Sequence, residues 1–181
     1  MKNNKTKKIA ICAMLTAIIA LLSLISIPMP SAVPLSLQCF AVSLCGYFAG
    51  SILGTVSVIT YIAIGSVGLP IFAGFKGGFA VLLGPTGGFI IGFIPLCLMC
   101  GGLGLSVGNK KLSHITRISM GLIGLFLCHL CGVLYFMLIM KTDIASAFVT
   151  SSAPYIIKDI ACVTAGHFVG ETLKKAVNTS Q

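Results

Sequence analysis

Hydrophobic residues along the chain come in long blocks that neither alternate nor recur once per helical turn, and short polar or Gly/Pro-rich stretches separate them. Ile9 to Ile27 is uncharged throughout and as a helix is about 28 Å long, close to the thickness of a bilayer core. A secretory signal would have a shorter apolar core ending in a small-residue cleavage site. Here Pro28-Met29-Pro30 follows and the apolar sequence resumes, so this segment is read as helix 1. Pro28 to Pro34 is too rich in proline to continue a helix and is expected to be an extended loop. Leu35 to Val67 is again uncharged, with Gly46, Gly50 and Gly54 near its middle, and fits either one long span or two short ones joined by a tight turn. Residues 68–86, GLPIFAGFKGGFAVLLGPT, hold Gly and Pro too densely for a regular helix yet stay apolar, as in a loop folded over a buried site. Three further helices are predicted, at about Gly87–Gly104, Ile118–Met140 and Pro154–Val177.

Composition turns these blocks into a membrane protein. Of the 181 residues 57% are hydrophobic and only 8% are charged, against roughly 25% in soluble domains, and the mean hydropathy is +1.09. Such a surface could not be solvated. In lipid the outside of a helical bundle can be as apolar as its inside, because every backbone polar group is satisfied within its helix. The expected fold is therefore an all-α integral membrane protein of six transmembrane helices, one domain over residues 1–181. Residues 1–8 form a basic tail, and the outward loops fall at about 28–36, 68–86 and 141–153. The six spans leave no room for a nucleotide-binding or soluble catalytic domain, so any energy is expected from a partner or a gradient.

The charge pattern orients the bundle. The net charge is +9, with Asp143, Asp159 and Glu171 the only acids, but the cations lie at the ends of apolar runs rather than in one patch, which argues against nucleic acid. Splitting Leu35–Val67 into two spans puts Lys2, Lys5, Lys7, Lys8, Lys110, Lys111, Arg117, Lys174 and Lys175 on one side, and Lys76, Lys141 and Lys158 on the other. By the positive-inside rule the first side is cytoplasmic, as are both termini. The eight cysteines lie almost wholly inside apolar stretches, where a thiol acts as a small hydrophobe. Neither disulfides nor a metal site are expected, because Cys97/Cys100 and the Cys128–His129–Cys131 cluster lack a second ligand pair at metal-site spacing.

The outward elements converge on the few polar side chains found near the membrane: Gln38, Lys76, Lys158 and Asp159. Ionisable groups near the hydrocarbon are costly and default to functional candidates, although a lysine can snorkel to the interface and a glutamine can simply bond a neighbouring helix. No protease, P-loop or Ser-His-acid signature is present, and His129, in the middle of its helix, is read as a helix-to-helix hydrogen-bond donor. Catalysis is not expected. Ala10, Ala13, Ala17 and Ala20 recur along helix 1, and Ala13 and Ala17 share a face on which another helix can approach closely, either within the monomer or from a partner.

Four blocks, VPLSLQ at 33–38, GLPIFAGFKGG at 68–78, LLGPTGGF at 82–89 and PYIIKD at 154–159, resemble in order and spacing the BioY family, the biotin-specific S components of energy-coupling factor transporters. The resemblance runs from about residue 10 to 175. It implies a six-helix S-component fold that captures biotin from outside, has no cofactor or metal, and works with a transmembrane scaffold subunit and two ATPase subunits. Ala13 and Ala17 would then dock on the scaffold. Biotin presents a ureido ring, a thioether ring and a carboxylate. Asp159 can accept from the ureido N–H groups, Gln38 can donate and accept, Phe72, Phe75 and Tyr155 can wall the pocket, and Lys158 or Lys76 can meet the carboxylate. Gly84 and Thr86 of the second glycine block join this set. Many members carry lysine three residues after the aspartate. Here Cys162 stands in that place, and Lys158, one helical turn earlier, can deliver its ammonium to nearly the same region. The rival readings are an S component for another small vitamin and a stand-alone secondary transporter, though no convincing internal repeat supports the latter.

Overall fold

The computed structural model describes residues 2–30, 33–102 and 114–179. The described residues form seven helices and a two-stranded hairpin: α1 (Lys2–Leu24), β1 (Ser26–Ile27), β2 (Leu35–Ser36), α2 (Gln38–Val67), α3 (Phe79–Leu82), α4 (Gly87–Cys100), α5 (His114–Met140), α6 (Ile144–Ser151) and α7 (Ile156–Thr179). Lys110 and Lys111, part of the expected cytoplasmic charge, lie outside the described residues, as do the side chain of Lys2 and, in the proline-rich loop, Ser31 and Ala32.

Among these helices, α1, α2 and α5 have stretches long and apolar enough to cross a bilayer, and α4 is a shorter apolar helix. Helix α2 is not straight. Gly50 has φ 81° and ψ 174°, outside the helical region, and it divides α2 into limbs 38–49 and 51–67. The limbs fold back on each other: Gln38 Nε2 donates to the Tyr61 hydroxyl at 2.9 Å, and a Cβ on Gly54 would sit 2.8 Å from the Cys45 carbonyl oxygen. Each of these pairs is centred on the break, as in an antiparallel hairpin. Of the two possibilities left open by the sequence, two short limbs is the one the chain adopts.

Helix association in lipid depends on close packing rather than on exclusion of water, and the tightest seam runs between α4 and α5. There Gly92 lies against Cys128, where a Cβ would come 2.9 Å from its Cα, and Gly124 lies against Leu96 at 3.1 Å. Larger residues would push the two backbones apart. On the other side, α2 packs against α1, α4 and α7, and Thr16 Oγ1 of α1 donates to the Ser57 carbonyl at 3.1 Å.

The path of the chain gathers the β-hairpin, the loop 68–86 and the α5–α7 connection at one end of the bundle. At the opposite end, the Tyr47 hydroxyl donates to the Arg117 carbonyl at 3.2 Å, and Arg117 is ion-paired with Glu171. The connection over 141–153 is mostly helical, because Asp143 caps α6: the Ser146 N–H donates to its Oδ2 at 3.0 Å. Hydrogen bonds from Ser146 hold the Asp143 carboxyl below the usual carboxylate range. All eight cysteines are free thiols.

Candidate functional site

The β-hairpin and the loop 68–86 close over the upper ends of α2 and α4. Ser26 Oγ, at the end of α1, accepts from the Gly74 N–H at 2.9 Å, and the Phe72 N–H donates to the Lys76 carbonyl at 2.9 Å, making a tight lobe of residues 72–76. Gly74 has φ 76° and Phe75 φ 58°, so the lobe turns through left-handed backbone that glycine adopts easily and phenylalanine does not. Phe72 points inward, buried against Tyr61 with ring centroids 5.4 Å apart.

Beneath this lid lies a small cavity lined by Val33, Pro34, Gln38, Phe72, Ala73, Lys76, Val81, Thr86, Phe89, Ile90 and Phe93, with a volume of about 40 Å³. Small-molecule sites usually enclose roughly 300 Å³ or more, so a ligand must widen it. A larger groove of about 580 Å³ opens on the flank of α5, α6 and α7, but apart from His129 and Ser152 its walls are almost entirely apolar side chains of the kind that face lipid. It offers little to hold a polar ligand.

The floor of the small cavity is polar and largely hydrogen-bonded. Gln38 is buried; its Oε1 accepts from Ser36 Oγ at 2.9 Å while its Nε2 donates to the Tyr61 hydroxyl. That hydroxyl lies 2.9 Å from Ser23 Oγ and 3.2 Å from the Ile71 carbonyl, tying the lid to α1. One amide proton of Gln38 is left uncommitted among these contacts.

Behind Ser36 stands the charged pair. Lys158 is half-buried, and its Nζ donates to the Ser36 carbonyl at 2.6 Å and lies 2.6 Å from Asp159 Oδ1. Asp159 is only 3% exposed, and a carboxylate so deep is affordable only beside opposite charge and donors. Its second oxygen faces His129 Nε2 at 3.3 Å, and His129 Nδ1 is 2.7 Å from Ser152 Oγ. The His129 ring in turn stands edge-on to Phe89, a wall of the cavity, at 5.9 Å. The pair is thus one residue removed from the cavity, joined to it through Ser36–Gln38 on one side and His129–Phe89 on the other.

The residues singled out from the sequence therefore separate. Gln38, Phe72, Lys76 and Thr86 line one cavity, with Lys76 at its exposed rim, and Lys158 and Asp159 stand together beside it. Phe75 is 68% exposed and outside the cavity. Tyr155 is buried among Val33, Val133, Phe136 and Ala147, and its hydroxyl donates to the Val33 carbonyl at 2.5 Å, so it holds the hairpin rather than walling the cavity. Gly84 sits in the turn between α3 and α4, where its N–H donates to the Val81 carbonyl at 3.2 Å, and it is absent from the lining. Ala13 and Ala17 are exposed on the outer face of α1.

The sequence reads His129 as a helix-to-helix donor, and its Nε2 does face another helix, 3.3 Å from Oδ2 of Asp159, the candidate ligand-binding carboxylate. Ser36, Tyr61, Ser23 and Ser152 are not singled out by the sequence, and each gains a role only from the fold.

A family model described as "BioY family" matches residues 1–179. The chain belongs to the BioY family. Relatives include the "Probable biotin transporter BioY" of Pyrococcus horikoshii, 35% identical over 94% of this chain and 98% of its own length. The "Biotin transporter BioY" of Thermotoga maritima is 37% identical over 88% of this chain and 91% of its own. Among solved structures, this BioY family member superposes on the crystal structure of an S-component for biotin from an ECF-type ABC transporter with a TM-score of 0.84. That likeness covers 97% of this chain and 94% of the other at 24% identity, which fixes the shared fold.

Proposed function

We propose that the protein is the biotin-capturing S component of an ATP-driven vitamin importer and is not itself an enzyme. The observation that carries the reading, beside family membership, is the lidded cavity with Gln38 on its floor and the Lys158–Asp159 pair one residue behind it, through Ser36. A membrane protein keeps such a pair where a ligand will use it. Biotin matches the chemistry. Its ureido group can bond to Gln38 and Asp159, its apolar rings can lie against Phe72, Phe89 and Phe93, and its carboxylate can accept a hydrogen bond from the ammonium of Lys158 or Lys76. Relatives named as biotin transporters support the choice of cargo over another vitamin.

A six-span topology would take α1, the two limbs of α2, α4, α5 and α7 as its spans. Lys5, Lys7, Lys8, Arg117, Lys174 and Lys175 belong to the ends of helices opposite the lid, and Lys76, Lys141 and Lys158 to the lidded end. This asymmetry supports cytoplasmic termini and an outward-facing cavity in a bacterial cell membrane. Scaffold and ATPase subunits would be separate chains, the scaffold docking on the Ala13/Ala17 face.

The test is equilibrium binding of labelled biotin to the purified chain, with desthiobiotin, thiamine and riboflavin as competitors. Saturable binding displaced by biotin and not by thiamine or riboflavin is expected. Displacement by thiamine or riboflavin as effective as by biotin would reassign the cargo.

A further inference from the structure

The polar chain behind Asp159 does not stop at Lys158. On the other side of the carboxylate, His129 from α5 presents Nε2 to Oδ2 at 3.3 Å. No hydrogen bond is completed to this buried nitrogen among the described residues, and the Asp159 carboxylate is the acceptor it faces. Its opposite nitrogen, Nδ1, is 2.7 Å from the hydroxyl of Ser152, which is wholly buried at the end of α6. A hydroxyl donating to Nδ1 leaves the proton of a neutral imidazole on Nε2, facing the carboxylate. Three helices thus contribute one residue each to a line from Ser152 through His129 to Asp159.

We propose that His129, held by Ser152, is a positioning residue for the ligand-binding carboxylate. The inference rests on the biotin reading and extends it to residues that do not line the ligand cavity. With Lys158 on Oδ1 and His129 on Oδ2, the carboxylate has little freedom to rotate. Its remaining lone pairs then point in a fixed direction when a ureido group arrives, which lowers the ordering cost of binding. Lys158 alone would leave Oδ2 without a nitrogen donor in a buried setting, with only the weakly donating Cys39 thiol beside the carboxylate, and a carboxylate held firmly at one oxygen can swing about that contact. Phe89, edge-on to the His129 ring and a wall of the cavity, couples the same imidazole to the space the ligand occupies. The role needs an N–H at the Nε2 position and no charge or metal.

A glutamine can place its amide N–H close to where His129 carries Nε2, whereas phenylalanine fills the space without a donor. The experiment compares H129F, H129Q and the parent chain by biotin binding. It also follows the side-chain carboxyl signals of carbon-13 aspartate in the same proteins, which have only Asp143 and Asp159 to resolve. H129F is expected to weaken biotin binding by roughly tenfold or more, and H129Q to stay within about threefold of the parent. The Asp159 signal should move in H129F and return toward the parent position in H129Q. Parent-like affinity and an unmoved signal in H129F would overturn the proposal. An H129Q variant as weak as H129F, with both signals displaced alike, would also overturn it by making His129 a packing residue. A parent chain that binds no biotin, yet shows the carboxyl signal lost in H129F and restored in H129Q, would sink the biotin reading while leaving the positioning role intact.

Discussion

Gln38 and Tyr61 lie 23 residues apart and meet at 2.9 Å because α2 reverses at Gly50. The contact puts a buried amide on the cavity floor and, through the Tyr61 hydroxyl, connects it to Ser23 and the lid. The break therefore positions the site as well as the fold. A Cβ on Gly50 would meet nothing within 4 Å, but its φ of 81° with an extended ψ belongs to glycine. Gly50→Ala should therefore destabilise the protein through backbone strain alone, by about 1–3 kcal/mol, and lower its thermal midpoint in detergent. An unchanged midpoint would mean that the hairpin turn tolerates a side chain.

Lys158 and Lys141 separate a site lysine from an interfacial one. Lys158 is anchored on Ser36 and Asp159 beside the cavity, whereas Lys141 is exposed at the end of α5. Lys158→Ala should weaken biotin binding by on the order of tenfold or more, and Lys141→Ala by less than about twofold. Equal losses, measured by equilibrium binding, would show that the ammonium at 158 has no special place.

Much of this was legible in the sequence, and the reasons it was not all legible are physical. Block hydropathy and the parity of positive charge located the helices and led to the two-limb form of 38–67, because bilayer thickness and charge asymmetry act on sequence directly. Gln38 and Lys76 stand out in the sequence as polar groups near the membrane, Phe72 and Thr86 only through the family blocks, and the fold brings all four to one cavity. The sequence offers Tyr155 as a wall, yet its hydroxyl bonds the Val33 carbonyl, since the inward direction of a side chain depends on where α6 enters. The partner of His129 was hidden for the same reason. Only the short helix α6, started by the Asp143 cap, sets the level at which α7 begins and so brings Asp159 alongside α5.

That cap gives a pH-dependent prediction. The Asp143 carboxyl is held below its usual range by Ser146, so its contribution to α6 is present above the unfolded carboxylate value and is lost as pH falls through the lowered one. At neutral pH, Asp143→Ala should speed hydrogen exchange of the amides at 144–147 relative to the parent. The difference should shrink in acid. Identical exchange at neutral pH would remove the cap from the account of how α6 forms.

Ala13 and Ala17 present a small-residue face on the outside of α1, away from the lid. If a scaffold subunit docks there, Ala13→Leu together with Ala17→Leu should abolish co-purification with the coupling subunits while leaving biotin affinity within about twofold of the parent. Retained co-purification would move the docking surface elsewhere.

The most direct test of the account is the biotin affinity of Asp159→Asn beside the parent in the same membrane mimetic. The substitution keeps the shape of the side chain, removes the charge that pairs with Lys158, and turns one acceptor oxygen into a donor. The account predicts saturable biotin binding by the parent and a loss of at least roughly tenfold in the variant. A variant that binds biotin as tightly as the parent would contradict the claim that the buried Lys158–Asp159 pair is where the ligand is recognised.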